Sequence, residues 1–328
     1  LLRGVAPLHR EPPLNDEGVA LDPHLHGLER LHRRLRLPTL GQSSPRQGRL
    51  ALDLIGQAMA PRLDPLFKVS ERTMDLGHAR LRLRCYEPDP SPDLPILIFF
   101  HGGGFTLGGL TSHDPVCRLL AHKSGCLVAA VDYRLAPEHR FPAAVNDTMA
   151  AFEWIALHAR ELGGDSRRLA VCGDSAGGTL SAVLCQQQLL AGRRLPQLQV
   201  LIYPATDLTR SLRSHQTFAA GFPLDKQAVT FFLDCYLPPT QPRDDPRVSP
   251  LFQQDLAGLP PAIVVTAGHD MLRDEGRAYV ARMQKAGVEV KHLEFGAQPH
   301  GFINVAGVAP GARAALEEIG AEVKRRLW

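Results

Sequence analysis

The chain has 328 residues, 44% of them apolar and 22% charged, with a formal net charge of +3. That length makes one large domain or two small ones, with enough apolar residues for a substantial core. The near-neutral balance, with arginines scattered apart from a cluster at 30–36 that reads as a solvated helix face, argues against a nucleic-acid binder, and no apolar run approaches the ~20 residues that span a bilayer.

The sequence opens Leu-Leu without Met, so a few residues are expected to precede it. Residues 1–10 lack the charged-then-apolar layout of a signal peptide. The six cysteines, Cys85, Cys117, Cys126, Cys172, Cys185 and Cys235, form no C-x-x-C pair. Several sit inside apolar runs, so they read as free thiols of a cytoplasmic protein.

Residues 1–70 hold two helical patterns, 21–35 and 50–59, separated by a Gly-, Ser- and Pro-rich loop at 38–46. From residue 80 onward strand-like runs at 81–86, 96–100, 127–131, 169–172, 198–203, 262–266 and 288–295 alternate with helical stretches at 114–124, 143–161, 176–191 and 274–286. Several strands are apolar on consecutive residues, as central parallel strands buried on both faces are. The rhythm predicts a doubly wound α/β sheet. Residues 206–247 break it with an amphipathic helix at 224–236 and a loop at 238–246. The expected division is therefore 1–70 and 206–247 as two pieces of a helical cap, with 71–205 and 248–328 as the core beneath it.

Two short strings point to chemistry. Gly173-Asp174-Ser175-Ala176-Gly177 is a G-x-S-x-G nucleophile elbow between a strand and a helix. Small neighbours are needed there because the turn that exposes the serine is so tight. His101-Gly102-Gly103-Gly104 follows the strand at 96–100, and consecutive glycines let backbone N–H groups converge on one point. The amides of Gly103, Gly104 and Ala176 are the expected donors to an oxyanion.

A serine nucleophile needs a base, and the base needs an orienting carboxylate. In the order serine, acid, histidine, the base comes last, which leaves His292 and His300. His292 lies inside a strand, whereas His300 lies in a loop at 296–301, so His300 is expected as base. Asp270 follows the strand at 262–266 and is the expected acid, with Asp207 as rival. His101 precedes the serine and is read as bracing its loop. Neither glycine string reads G-x-G-x-x-G or a P-loop, so no nucleotide cofactor is expected. There are fourteen histidines but no H-E-x-x-H or paired Cys/His spacing, so no metal is expected either.

These motifs, together with Asp132-Tyr133-Arg134-Leu135-Ala136-Pro137-Glu138, Asp270 with Leu272-Arg273-Asp274-Glu275-Gly276, and His300-Gly301-Phe302, resemble the hormone-sensitive-lipase-like esterases of the α/β-hydrolase superfamily. The resemblance implies an α/β-hydrolase fold, with a mostly parallel eight-stranded sheet flanked by helices under a helical cap. It implies a Ser175–His300–Asp270 triad, no cofactor, and a small-molecule ester of short to medium acyl chain, often of an aryl alcohol, as substrate. Phe105 and Phe222 are expected to line the substrate site, with Phe218, Phe231 and Phe232 from the cap. An amidase or deacetylase using the same triad is the alternative, and a receptor that has lost catalysis a remoter one. The family has proline after the acid where this chain has Met271, so a softer acid loop is expected. Asp132 to Glu138 is expected to be structural. The strand at 288–295 is a candidate homodimer edge.

Overall fold

The computed structural model describes residues 11–328; the reading of residues 1–10 lies outside them. The chain begins with α1 (Pro23–Arg34) and α2 (Pro45–Ala58). Asp22 caps α1 by accepting from the amides of His24 and Leu25, with proline at the helix start and basic residues in its last turn. Ser44 and Gln47 form a capping box at α2. That box starts the helix in what composition alone marked as loop.

The sheet follows. β1 (Lys68–Asp75) and β2 (Arg80–Glu87) form a hairpin. β3 (Leu94–Phe100) is buried throughout. Then come α3 (Asp114–Ser124), β4 (Leu127–Val131), α4 (Ala143–His158), β5 (Gly164–Asp174), α5 (Ala176–Leu190) and β6 (Leu198–Ile202). The second helical segment carries α6 (Ser214–Thr217) and α7 (Lys226–Tyr236). The chain ends with β7 (Ala262–His269), α8 (Arg273–Lys285), β8 (Val290–Pro299) and α9 (Pro310–Leu327). β1 and α9 are additions to the elements expected from sequence. β1 escapes an apolar-pattern reading because Met74 is its one buried residue.

The eight strands form one sheet in the order β1-β2-β4-β3-β5-β6-β7-β8. β2 runs antiparallel to both neighbours and the remaining pairs are parallel. The pleat divides the core between two faces. Ile96, Ile98 and Phe100 of β3 join the side covered by α4, α5 and α8. Leu97 and Phe99 join the side covered by α3 and α9.

The helical segments meet above the sheet. A Cβ on Gly41, in a 3₁₀ turn before α2, would stand 2.9 Å from the Ala228 amide nitrogen, so that turn lies directly on α7. Arg49 of α2 ties this layer to the core. Its guanidinium donates to the carbonyls of Thr106 (2.9 Å) and Ala136 (2.8 Å) and pairs bidentately with Glu138. Among the described residues, no helix is long and apolar enough to cross a membrane.

Candidate active site

The parallel strands end on one edge of the sheet, where ligands bind in open α/β folds. β5 ends at Asp174 and α5 starts at Ala176, so Ser175 must turn the chain by itself. It does so at φ 54° and ψ −118°, a strained conformation for a residue with a Cβ. The Ser175 amide donates to the Ile202 carbonyl at 2.8 Å, and the Ser175 carbonyl accepts from the Thr179 amide at 3.0 Å. A Cβ on Gly177 would overlap the Phe100 carbonyl, so a glycine is needed for α5 to approach β3 this closely.

His300 stands at the end of β8 rather than in a loop at 296–301. β7 is bulged between Ala267 and His269 and resumes pairing at His269 and Pro299, which carries β8 on to Pro299. The same strand begins at Val290, two residues later than expected. His300 Nε2 lies 3.0 Å from Ser175 Oγ, and its Nδ1 lies 2.7 Å from Asp270 Oδ2. Asp270 Oδ1 accepts from the Leu272 amide at 2.9 Å, which fixes the carboxylate plane. Both side chains are buried, and the Tyr203 ring packs 4.7 Å from the imidazole.

The other candidates are engaged elsewhere. Asp207 accepts from the amides and hydroxyls of Thr209 and Ser211 and so organises its own turn. His292 Nε2 lies 2.8 Å from Thr266 Oγ1. The acid loop with Met271 in place of proline is braced from outside. Ser214 donates its hydroxyl to the Met271 carbonyl (2.6 Å) and its amide to Asp274 (2.9 Å). Buried Arg273 pairs with Asp16 at 2.6 Å, and Asn15 donates to the Gly268 carbonyl at 3.2 Å, so the segment before α1 also clasps this loop.

The glycine loop lies across from the elbow. Gly103 and Gly104 sit at φ 110° and 60°, conformations that L side chains resist. A Cβ on Gly104 would also overlap the Phe232 ring. Among the described residues, the amides of Gly103, Gly104 and Ala176 donate to no protein oxygen. His101 is buried, stacks 4.4 Å from Tyr133, and donates from Nδ1 to the Gly102 carbonyl at 2.8 Å. Burial, reinforced by nearby His113, pushes its pKa down to about 4, so the ring is neutral.

Asp174 is a site residue that sequence reasoning missed. Its Oδ1 accepts from the Gly102 amide at 2.8 Å, and His113 Nε2 approaches the same oxygen at 3.3 Å. Burial opposes its charge, but the His113 ring and the Gly102 amide outweigh burial and hold the carboxyl below its usual range. The variable position of the elbow thus anchors the glycine loop. In the segment Asp132 to Glu138, Arg134 pairs with buried Asp147 at 2.7 Å and Glu138 with Arg49 at 2.7 Å.

A cavity of about 410 Å³ opens over Ser175, the Gly103–Gly104 loop and His300. Phe105 and Phe222 both line it, and Phe105 stacks on Tyr236 at 3.8 Å. Phe232 lines it as well. Phe218 and Phe231 are not among its lining residues: Phe218 packs under the Arg273 guanidinium and Phe231 against Phe232. Much of the wall is aliphatic and comes from α1, from α2 and from the residue that ends it, with Leu25, Leu28, Leu52, Ile55 and Met59. Among the described residues, no group of three or more His, Cys, Asp or Glu is arranged to hold a metal ion.

A strained serine between strand and helix, a histidine and a carboxylate in line behind it, and unpaired amides opposite define a serine hydrolase on an α/β-hydrolase sheet. The alpha/beta hydrolase fold family model matches residues 97–304, and the chain belongs to that family, in its hormone-sensitive-lipase-like carboxylesterase branch. It is 43% identical to the carboxylic ester hydrolase LipN of Mycobacterium tuberculosis, over 74% of this chain and 66% of that protein. It is 41% identical to the carboxylesterase NlhH of the same organism, over 81% and 85%. Among solved structures it is similar to an alpha/beta hydrolase enzyme from the metagenome of Lake Arreo, Spain, with TM-score 0.89 and 39% identity over 95% of this chain and 98% of that one.

Proposed function

We propose that this protein hydrolyses small esters through an acyl-enzyme on Ser175. The chain is a carboxylic ester hydrolase, and the hydrogen-bonded line from Ser175 through His300 to Asp270, 3.0 and 2.7 Å long, is the observation that carries the residue assignment. Ser175 Oγ attacks the ester carbonyl while His300 Nε2 takes its proton. Asp270 holds the imidazole in the required tautomer and stabilises the imidazolium. The amides of Gly103, Gly104 and Ala176 receive the developing oxyanion, where preorganised donors act most strongly. Collapse expels the alcohol, which takes the proton from His300. Water then repeats the sequence on the acyl-enzyme, releasing the acid and restoring Ser175.

The cavity volume and its aliphatic wall support short- to medium-chain acyl groups, with Phe105 and Phe222 contacting the substrate. The two cap pieces over the core are 11–67 and 206–247; the boundary expected at residue 70 falls inside β1, whose first residues belong to the sheet. The six free cysteines support a reducing, cytoplasmic setting, and the position of β8 at the sheet edge supports a homodimer joined there. Initial rates on p-nitrophenyl esters from acetate to palmitate, with Ser175→Ala as control, test the proposal. A maximum between butyrate and octanoate that the substitution abolishes is expected. Turnover at no chain length, or turnover that survives Ser175→Ala, overturns it.

A further inference from the structure

The cavity wall is aliphatic where α1 and α2 supply it, but α6 and the segment leading into it contribute polar side chains. Arg210 and His215 both line the cavity from this stretch. His215 is 7% exposed, and its Nε2 lies 2.6 Å from Glu275 Oε2. Its Nδ1 is buried and has no hydrogen-bond partner among the described residues, a costly state unless something else meets it. Arg210 donates from Nη1 to Thr230 Oγ1 at 3.1 Å and forms no ion pair among the described residues, the nearby charges of Arg243 and Asp234 acting on it in opposite directions. Its backbone is held at φ 63°, a left-handed conformation that local hydrogen bonding around Asp207 maintains.

We infer that Arg210 and His215 form a polar subsite in the substrate cavity that binds an oxygen acceptor carried by the ester away from the reacting carbonyl, best met by a carboxylate. The inference rests on the ester-hydrolase reading and adds a substrate class to it: acyl chains or alcohols with a remote carboxyl or keto group.

Below about pH 7 the shared proton of the pair makes His215 Nδ1 a donor. Glu275 Oε1 accepts from the amides of Thr206 (2.7 Å) and Asp207 (3.2 Å), leaving Oε2 for the imidazole. Burial pushes Glu275 up to about 7. Burial opposes charge on His215 as well, but the facing carboxylates of Glu275, Asp207 and Asp270 more than offset it and raise its pKa. While the pair holds its shared proton, whichever partner carries it, Nδ1 keeps a hydrogen of its own. Asp207 brings a negative charge to the same wall, but its two oxygens are taken by Thr209 and Ser211. Among the described residues of this segment, Arg210 therefore presents donors to the cavity, with the unpartnered Nδ1–H buried in the wall behind it, and a charged acceptor makes the stronger hydrogen bond.

The test, run at about pH 6 where the pair still holds its proton, compares ethyl hexanoate with monoethyl adipate and ethyl levulinate on the wild-type enzyme, Arg210→Met and Arg210→Lys, with Ser175→Ala as the catalytic control. The expected wild-type kcat/KM is about tenfold or more higher for the adipate half-ester than for ethyl hexanoate, the scale of one charge-assisted hydrogen bond. Arg210→Met is expected to bring that ratio toward one, chiefly through KM, and Arg210→Lys to restore part of it. A gain for levulinate alone would reassign the subsite to a neutral carbonyl and overturn the carboxylate preference. Equal ratios in the wild type and Arg210→Met overturn the subsite itself. Absence of turnover on every neutral ester would instead refute the ester-hydrolase reading.

Discussion

Asp174 offers the sharpest test of how the oxyanion loop is held. Its buried carboxylate accepts the Gly102 amide at 2.8 Å, one residue before the proposed donors Gly103 and Gly104. Asp174→Ala leaves that amide buried without an acceptor, a loss of about 2–3 kcal/mol for a hydrogen bond to a charged group. A loop released by that amount can swing one N–H out of line with the oxyanion, and losing one such donor costs about 10²–10³ in kcat. The donors act on the transition state, so KM should change little. Asp174→Asn keeps an oxygen for Gly102 and is expected to stay within about tenfold of wild-type kcat. Steady-state kinetics on p-nitrophenyl butyrate, paired with urea denaturation of each variant, read both effects. Wild-type kcat in a destabilised Asp174→Ala enzyme, or a loss confined to KM, would refute the claim that Asp174 positions the loop.

Ser175→Ala and His300→Ala should each lower kcat by about 10⁴ or more, measured on the same ester. Asp270→Asn leaves the shape of the site but presents the wrong imidazole tautomer, and a fall of about 10⁴ is expected; near-normal turnover would exclude Asp270 as the orienting group. The Glu275–His215 pair gives a pH dependence with a definite sign. Burial raises the folded Glu275 pKa from 4.5 to about 7, and His215 is also raised, so between these pH values the folded pair retains a proton that the unfolded chain releases. Stability from this pair is therefore present on the acid side and lost as pH rises through about 7. Denaturation midpoints at about pH 5 and pH 8 should fall less in Glu275→Gln than in wild type, and equal slopes would remove the pair from the account. Arg49→Met should destabilise by about 1–2 kcal/mol through the carbonyls of Thr106 and Ala136, since the exposed ion pair to Glu138 contributes little.

What the sequence made legible follows from the range of the forces involved. The elbow around Ser175 is written in adjacent residues, because sterics at one turn demand small neighbours within two positions of the serine. His300 and Asp270 could be read from chain order and from their place at strand ends, and each strand end is a local signal. The partnership of Asp174 with Gly102 spans 72 residues and joins the end of β5 to the loop after β3, so no local pattern announces it. The extension of β8 depends on a bulge in its neighbour, a property of the pair and of neither strand alone. The same limit separates Phe232 from Phe231. Both lie on one amphipathic helix, and which ring enters the cavity is decided by how α7 is rotated onto the glycine loop, where the Phe232 ring occupies the space a Gly104 side chain would need. Gly104 is thus constrained twice, by its left-handed backbone and by the Phe232 ring against it. A substitution there would disturb both the proposed oxyanion donors and the seating of α7, which ties the packing of this helix to the glycine loop through a single missing side chain.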